Sequence, residues 1–334
     1  MAKNPTVKDV AEKANVSVAT VSRVLNGLPG FSPETKEKVQ EAIDSLGYQC
    51  NIVARNLKTK KSNIVAVLLP KVETTFYVKI LDGIEDAAQK QGYNVMMCHV
   101  GVSGNRTQQY IKMLMERQTD GIIGCSLPPK EKIDALVSQS GIPCVLVSTL
   151  SPRYPIPYIR VDDFQASYKA TAYLIEKGHR KIAMLSGSKH DMVAGRLRLE
   201  GYRKALEDHA IPYSDDLVRY TGFIYEKGIQ AMKELIKSRQ SFTGVVACCD
   251  EVAAGAMTAA SLLGCKVPDD FSIIGYDNTR TAKMTVPQLT TVAQPLYRMG
   301  REAFAMLKMG MEHQPVQSRI LPFKIVERDS VRKI

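Results

Sequence analysis
The chain has 334 residues, 45% of them hydrophobic and 24% charged, enough to bury a large core and longer than one average domain. Lysine and arginine total 45 against 34 aspartate and glutamate, a net charge of +11, which favours a polyanionic partner, either nucleic acid or an anionic membrane surface. No stretch approaches the roughly 18 uninterrupted apolar residues of a membrane-crossing helix, and MAKNPTVKDV lacks the apolar segment of a signal peptide, so the expectation is a soluble, cytoplasmic protein.

In chain order, the first sixty or so residues read as short helices without a strand pattern. One helix opens after Thr6 and places Val7, Val10, Ala11 and Ala14 on one face. The Asn15-Val16-Ser17 break then leads, with Ser17 as cap, into a second helix from Val18 to Asn26. Two short helices joined by a tight turn form a helix-turn-helix. In FSPETKEKVQEAIDSLGY, Ser32 caps, Pro33 suits the first turn, Val39, Ile43 and Leu46 form the apolar stripe and Gly47 ends the helix. Residues 49–62 (QCNIVARNLKTKKS) are polar and basic, a linker with room for two turns of helix from an Asn51 cap.

From Asn63 short apolar runs alternate with amphipathic helices: NIVAVLLP, YVKILDGIEDAAQKQGY, NVMMCHV, QQYIKMLMERQ, DGIIGCS, EKIDALVSQSG and IPCVLVS. The same alternation resumes after Tyr158 with KIAMLSG, LRLEGYRKALEDH, IQAMKELIKSR, GVVACCD, VAAGAMTAASLLG and FSIIGYD. Such a pattern predicts βαβ units and parallel sheets. Two doubly wound lobes follow, with a ligand cleft outside the strand ends. The expected fold is therefore α/β, a two-lobed doubly wound core behind an all-α helix-turn-helix. Its boundaries are 1–48 for the helix-turn-helix, 49–62 for hinge helix and linker, and 63–334 for a two-lobed effector-binding and dimerisation domain.

A helix beginning Val18, Ala19, Thr20, Ser22 and Arg23 offers base edges a methyl-contacting surface, hydroxyls and one guanidinium suited to guanine. The same string also suits a plain helical hairpin with an exposed arginine. ARNLKTKK is either a solvated basic linker or a segment that folds on DNA, with Leu57 wedged between base pairs and Lys58, Lys60 and Lys61 on phosphates. The seven cysteines sit mostly inside apolar runs and read as reduced, buried thiols, the adjacent pair in VVACCD included. P-loop, HExxH and GxSxG strings are missing from the sequence, and His99, His179, His190, His209 and His313 do not pair at ligand spacing. The expectation is a binding protein, not an enzyme, with no cofactor and no metal.

The strings TVKDVAEKANVSVATVSRVLNG, VQEAIDSLGYQCNIVARNL, DGII, YLIEKGHRKIAML, RLRLEGYRKAL, PDDFSIIGYDN, LTTVAQP and IVERDSV run in order from residue 6 to residue 331. Together they resemble the lactose/galactose repressor (LacI/GalR) family. The resemblance implies a core like the periplasmic sugar-binding proteins, a homodimer, a palindromic double-stranded operator and a small-molecule effector, with a carbohydrate leading. It implies base reading by Val18, Ala19 and Arg23, a minor-groove wedge at Leu57, and backbone contacts from Thr6, Ser17, Thr20, Ser22 and Asn26. In the cleft it implies polar ligand contacts from Arg198 and Asp277, ring stacking by Phe223, lining by Phe76 and Tyr77, and a further polar position at Asp162. Read without the resemblance, Arg198 is a surface helix residue, Asp277 caps a turn, and Phe223 and Tyr77 belong to the core. Cys249 departs from the pattern of many sugar-binding relatives, which carry an asparagine or another polar group beside the aspartate matched by Asp250.

Overall fold
The computed structural model describes residues 5–25, 27–48, 61–70, 75–128, 130–238 and 240–334. The chain divides into two compact units, with the boundary between Lys61 and Ser62. The hinge segment expected at 49–62, with Leu57 and Lys58, lies outside the described residues except for its last two positions.

Among the described residues of the first unit, three helices surround a small core. Helix α1 (Val7–Lys13) starts in a capping box, with Asp9 N donating to Thr6 Oγ1 and Thr6 N donating to Asp9 Oδ2 at 2.6 Å. Asn15 reverses the chain at a φ of 53°, and Thr20 N donates to Ser17 Oγ at 3.0 Å to open α2 (Val18–Leu25). Helix α3 (Pro33–Leu46) runs from the Ser32 cap to Gly47, whose left-handed φ of 61° lets Gly47 N and Tyr48 N reach the last carbonyls. Val10, Ala11, Ala14, Val21, Val39 and Ala42 form the buried core, with Ile43 and Leu46 packed against it.

The second unit contains two six-stranded sheets. The first has the order β11-β5-β4-β3-β1-β2 and is wholly parallel, built from β1 (Ile64–Leu69), β2 (Asn94–His99), β3 (Gly121–Cys125), β4 (Cys144–Val147), β5 (Tyr158–Val161) and β11 (Arg319–Leu321). Its helices are α4 (Thr75–Gln89), α5 (Thr107–Glu116), α6 (Glu131–Gln139) and α12 (Leu296–Met311). In β1, Val65, Val67 and Leu69 join one core while Ala66 and Leu68 join the other, the two-sided burial expected of a parallel strand.

The second sheet has the order β12-β10-β9-β8-β6-β7, from β6 (Ile182–Ser186), β7 (Val218–Tyr220), β8 (Gly244–Ala247), β9 (Ser272–Asp277), β10 (Thr290–Ala293) and β12 (Lys324–Val326). Only β12 is antiparallel to its neighbour among the described strands. Its helices are α7 (Asp163–Glu176), α8 (Arg198–Asp208), α9 (Tyr225–Lys237), α10 (Asp250–Leu262) and the short α11 (Arg280–Met284).

The lobes are not consecutive halves of the chain. After β10 the backbone returns to the first lobe for α12 and β11, then crosses again into β12, so three segments join the lobes: at residue 162, at 294–295 and at 322–323. Helix α12 packs on α4 where two glycines meet. A Cβ on Gly83 would lie 2.1 Å from the Tyr297 carbonyl, and one on Gly300 would lie 2.0 Å from the Ile80 carbonyl. The α9/α10 pair repeats the device with Gly228 and Gly255, and Gly201 gives α8 the same close approach to α7.

Candidate functional site
The helix-turn-helix presents one face of α2 to solvent. Val21 is fully buried and anchors the helix, whereas Val18 is 43% exposed and Ala19 and Arg23 are exposed beside it. Thr6 and Ser17 cap their helices from exposed positions, and Thr20 and Ser22 are half-buried. Arg23 Nη1 donates to the Pro29 carbonyl at 3.1 Å, which holds the guanidinium against the 28–30 loop. That single neutral contact is one a guanine edge can replace. Asn26 lies outside the described residues.

In the second unit, parallel strands bring their C-terminal ends together, where a doubly wound fold binds ligands. From the first lobe come Pro70, Ser126 and Ser148; from the second come Ser186, Cys248, Cys249, Asp277 and Gln294. The two lobes meet beside these strand ends, where Thr75 N donates to Glu251 Oε1 at 3.2 Å and the Thr75 and Thr281 hydroxyls lie 3.4 Å apart; burial, with Asp191 and Asp277 of the other lobe adding to it, raises the Tyr77 hydroxyl. Non-glycine residues at these strand ends hold left-handed backbone, with φ of 45° at Ser126, 54° at Ser148, 64° at Phe223, 107° at Asp277 and 55° at Asn278. Such strain concentrates at functional sites, where the surrounding packing holds it in place.

Arg198 is the centre of the second lobe's contribution. A π-helical turn over Met192–Leu197, capped by Asp191 accepting from Val193 N, Ala194 N and Gly195 N, feeds into α8 with Arg198 as its first residue. The residue is 4% exposed, not on the surface. Its Nε and Nη2 lie 2.9 Å from Asp163 Oδ1, Nη1 donates to the Cys248 carbonyl, and the guanidinium stacks 3.6 Å from the Tyr276 ring centroid. Tyr276 donates its hydroxyl to the same Asp163 oxygen at 3.2 Å.

Asp277 is buried and accepts from Gln294 Nε2 at 2.7 Å. Burial raises its carboxyl well above the usual range, against the pull of Arg198. Asp250 is tied into the fold by Thr279 N, Thr279 Oγ1 and Thr291 Oγ1 at 2.6–2.9 Å, and burial pushes its pKa up to about 6. Phe223 is half-buried, with its ring against Gly187, and Phe76 meets Tyr77 edge-on at 5.2 Å. Ser148 Oγ and Ser186 Oγ are buried and have no hydrogen-bond partner among the described residues. Polar atoms of this kind at strand ends suit the hydroxyls of a ligand.

The structure thus brings Tyr77, Arg198 and Asp277 together at the facing strand ends, with Phe223 against Gly187 beside them and Phe76 edge-on to Tyr77. Asp162, half-buried at the first crossing between the lobes, caps α7 by accepting from Gln165 N at 3.1 Å, and its neighbour Asp163 is buried. A signal for Asp163 exists in the sequence, because it shares a helical face with Ala166, Ser167 and Ala170, all buried. Tyr276 and Gln294 were missed because an aromatic in a strand and an amide in a crossing segment have no distinctive spacing.

The description "Bacterial regulatory proteins, lacI family" matches residues 6–51, and "Periplasmic binding proteins and sugar binding domain of LacI family" matches residues 62–324. The chain is similar to catabolite control protein A of Priestia megaterium, 36% identical over 331 residues, covering 98% of this chain and all of the relative. It is 34% identical over 332 residues to the transcriptional repressor PurR of Vibrio atlanticus, covering 98% and 99% of the two chains. Among solved structures, the Lac repressor dimer bound to operator and an anti-inducer superposes with a TM-score of 0.88 at 28% identity, covering 98% of this chain and 99% of that one. The regulator CelR in complex with cellobiose superposes at 0.76 with 32% identity, covering 98% of this chain and 100% of that one.

Proposed function
Because the chain belongs to the LacI family of bacterial regulatory proteins, we propose that it is a repressor whose operator affinity is set by a small polyhydroxylated effector, a sugar or sugar derivative, held between the two lobes. The observation that carries this reading is the buried Arg198–Asp163 pair beside Asp277 at facing strand ends, in a chain that also carries an exposed recognition helix.

Val18, Ala19 and Arg23 read bases, while Thr6, Ser17, Thr20, Ser22 and Asn26 position the helix on the phosphate backbone. In the 49–62 hinge Leu57 wedges into the minor groove and Lys58 meets phosphates. Phe76, Tyr77, Asp162, Phe223, Arg198 and Asp277 receive the effector, with the buried Asp163 as the acid that orients Arg198. Binding and release, not catalysis, are the activity, and the cytoplasm is its compartment.

The chain works as a homodimer on an inverted repeat, since a two-fold assembly presents two identical readers to two half-sites. The apolar stripe of α4 is occupied by its own lobe, because Ile80, Ile84 and Ala88 are buried under α12 and the sheet. Exposed apolar side chains include Val78 on the outer side of α4 and Met97 on the first lobe, and Tyr225, Leu262, Met284 and Val286 on the second.

The test pairs two measurements. Binding to a self-complementary duplex, titrated against salt, has to be steep and sequence-dependent. A thermal-shift screen with neutral sugars, sugar phosphates and nucleobases then finds the effector, because a ligand selective for the native state raises its melting temperature. A chain that melts higher with a sugar but binds duplexes without sequence preference contradicts the reading.

A further inference from the structure
At the end of β8 two thiols meet. Cys248 and Cys249 are consecutive and free, and each thiol shifts the acidity of the other. Cys248 Sγ also lies 3.6 Å from Thr221 Oγ1, and its carbonyl accepts from Arg198 Nη1. Cys249 stands as the cap residue of α10 in extended backbone, φ −158°, and retains 7% of its surface where Cys248 retains 1%. Their acidities diverge. Burial raises Cys248, but hydrogen bonds from Cys249 and Thr221 and the charge of Arg198 together hold it below the ordinary thiol value. Cys249 is raised by its hydrogen bond to Cys248 and by burial. By contrast Cys125 and Cys144 in the first sheet are each pushed up to about 12 by burial.

What such a pair can hold follows from geometry. Adjacent α-carbons sit ~3.8 Å apart across a trans peptide, short of the roughly 4.4–6.8 Å that a disulfide spans. Direct oxidation of the pair is therefore strained. A bound divalent metal wants further ligands, and the described residues contain no group of three or more His, Cys, Asp or Glu able to hold one. A thiophile that needs two sulfurs and inserts one atom between them avoids both difficulties.

We propose that Cys248 and Cys249 form a dithiol site at the floor of the cleft for a monosubstituted trivalent arsenical. The first As–S bond forms at the more accessible Cys249, and Cys248 closes the ring. Two As–S bonds replace the As=O bond and two S–H bonds, the oxygen leaves with both thiol protons as water, and arsenic stays trivalent, so no oxidant is needed. An arsenic substituent there lies beside Arg198 and Asp277. Its effect on DNA rests on the proposed effector reading; the binding itself does not.

The probe is phenylarsine oxide at one equivalent on the reduced full chain, read by intact mass and by peptide mapping. The expected result is one phenylarsenic unit per chain, located on the peptide carrying Cys248 and Cys249, removed by a small dithiol but not by a monothiol. Cys248→Ser and Cys249→Ser should each lose it, while Cys125→Ser and Cys144→Ser keep it. Mapping on the unmutated chain makes the test independent of whether any variant folds. An unlabelled chain, or label mapped to other cysteines, overturns the proposal. Operator affinity measured before and after labelling reads the second link: a labelled pair with unchanged affinity supports the dithiol site and counts against the cleft as the controlling site.

Discussion

Removing Arg198 tests both the architecture and the reading of the cleft. In Arg198→Ala the Asp163 carboxylate, in a residue only 2% exposed, loses the guanidinium contact at 2.9 Å, and Tyr276 loses its stacked cation. Breaking one side of a buried pair costs about 3–5 kcal/mol, because the partner charge stays buried. At about 2–4 °C per kcal/mol for a large domain, the melting temperature should fall by roughly 6–20 °C. Replacing both partners, Arg198→Met with Asp163→Leu, removes the stranded charge at similar volume and should restore most of that loss. Neither variant should respond to an effector that stabilises the parent chain. The assay is differential scanning fluorimetry with and without that effector, backed by urea titration. An Arg198→Ala chain that melts with the parent, or a double variant that melts no higher than the single one, would refute the argument that this pair organises the cleft.

Gly300→Ala puts a Cβ 2.0 Å from the Ile80 carbonyl and forces α12 away from α4, so urea titration should report a loss of about 1–3 kcal/mol or more; a chain of unchanged stability would show that the crossing is looser than the contact implies. Arg23→Ala should relax preference at one base position in each half-site, at about 1–3 kcal/mol per lost contact, and a binding-selection experiment that returns the parental sequence logo would remove Arg23 from the reading face. Asp250 is raised from 3.8 to about 6, so the folded state holds its proton more tightly, and that contribution to stability is present below about pH 4 and lost as pH rises through 6. Asp250→Asn does not titrate, so its melting temperature should improve relative to the parent between pH 5 and pH 8; a gap that stays constant would place the titration elsewhere.

The helix-turn-helix is legible because local chemistry determines it. Thr6, Ser17 and Ser32 cap where the spacing places them, and Gly47 ends α3 in the left-handed conformation that glycine adopts without strain. The alternation of strands and helices after Asn63 also carries over, because each βαβ unit is local. The assignment of elements to lobes does not. Nothing in LYRMGREAFAML says that this helix returns to the first lobe; only the Gly83 and Gly300 contact, 217 positions apart in the chain and unrecorded in hydrophobic period, shows where it docks. At the site, Arg198 looks like one cation among several in RLRLEGYRK, and its burial depends on a π turn that helical periodicity does not encode. Asp162 and Asp163 illustrate the same limit. Two adjacent acids divide capping from ion pairing, and which does which depends on where α7 faces.

The placement of these acids also explains how a ligand can act on the lobes. Asp163 begins α7 immediately after the first crossing segment, and Gln294, which donates to Asp277, lies on the second. Each charged group that faces the cleft is therefore one hydrogen bond from a segment about which the lobes turn. Across the cleft, Thr75 N donates to Glu251 Oε1 at 3.2 Å, and the Thr75 and Thr281 hydroxyls lie 3.4 Å apart, joining α4 to α10 and α11. Among the described residues these two contacts are worth about 1 kcal/mol each, and a ligand that favours one arrangement of the lobes by a few kcal/mol moves most of the population to it. On the proposed reading, in which Asp277 receives the effector, a ligand hydroxyl there competes with Gln294 Nε2, which donates to Asp277 at 2.7 Å, so hold on the second lobe and the set of the second crossing segment would change together.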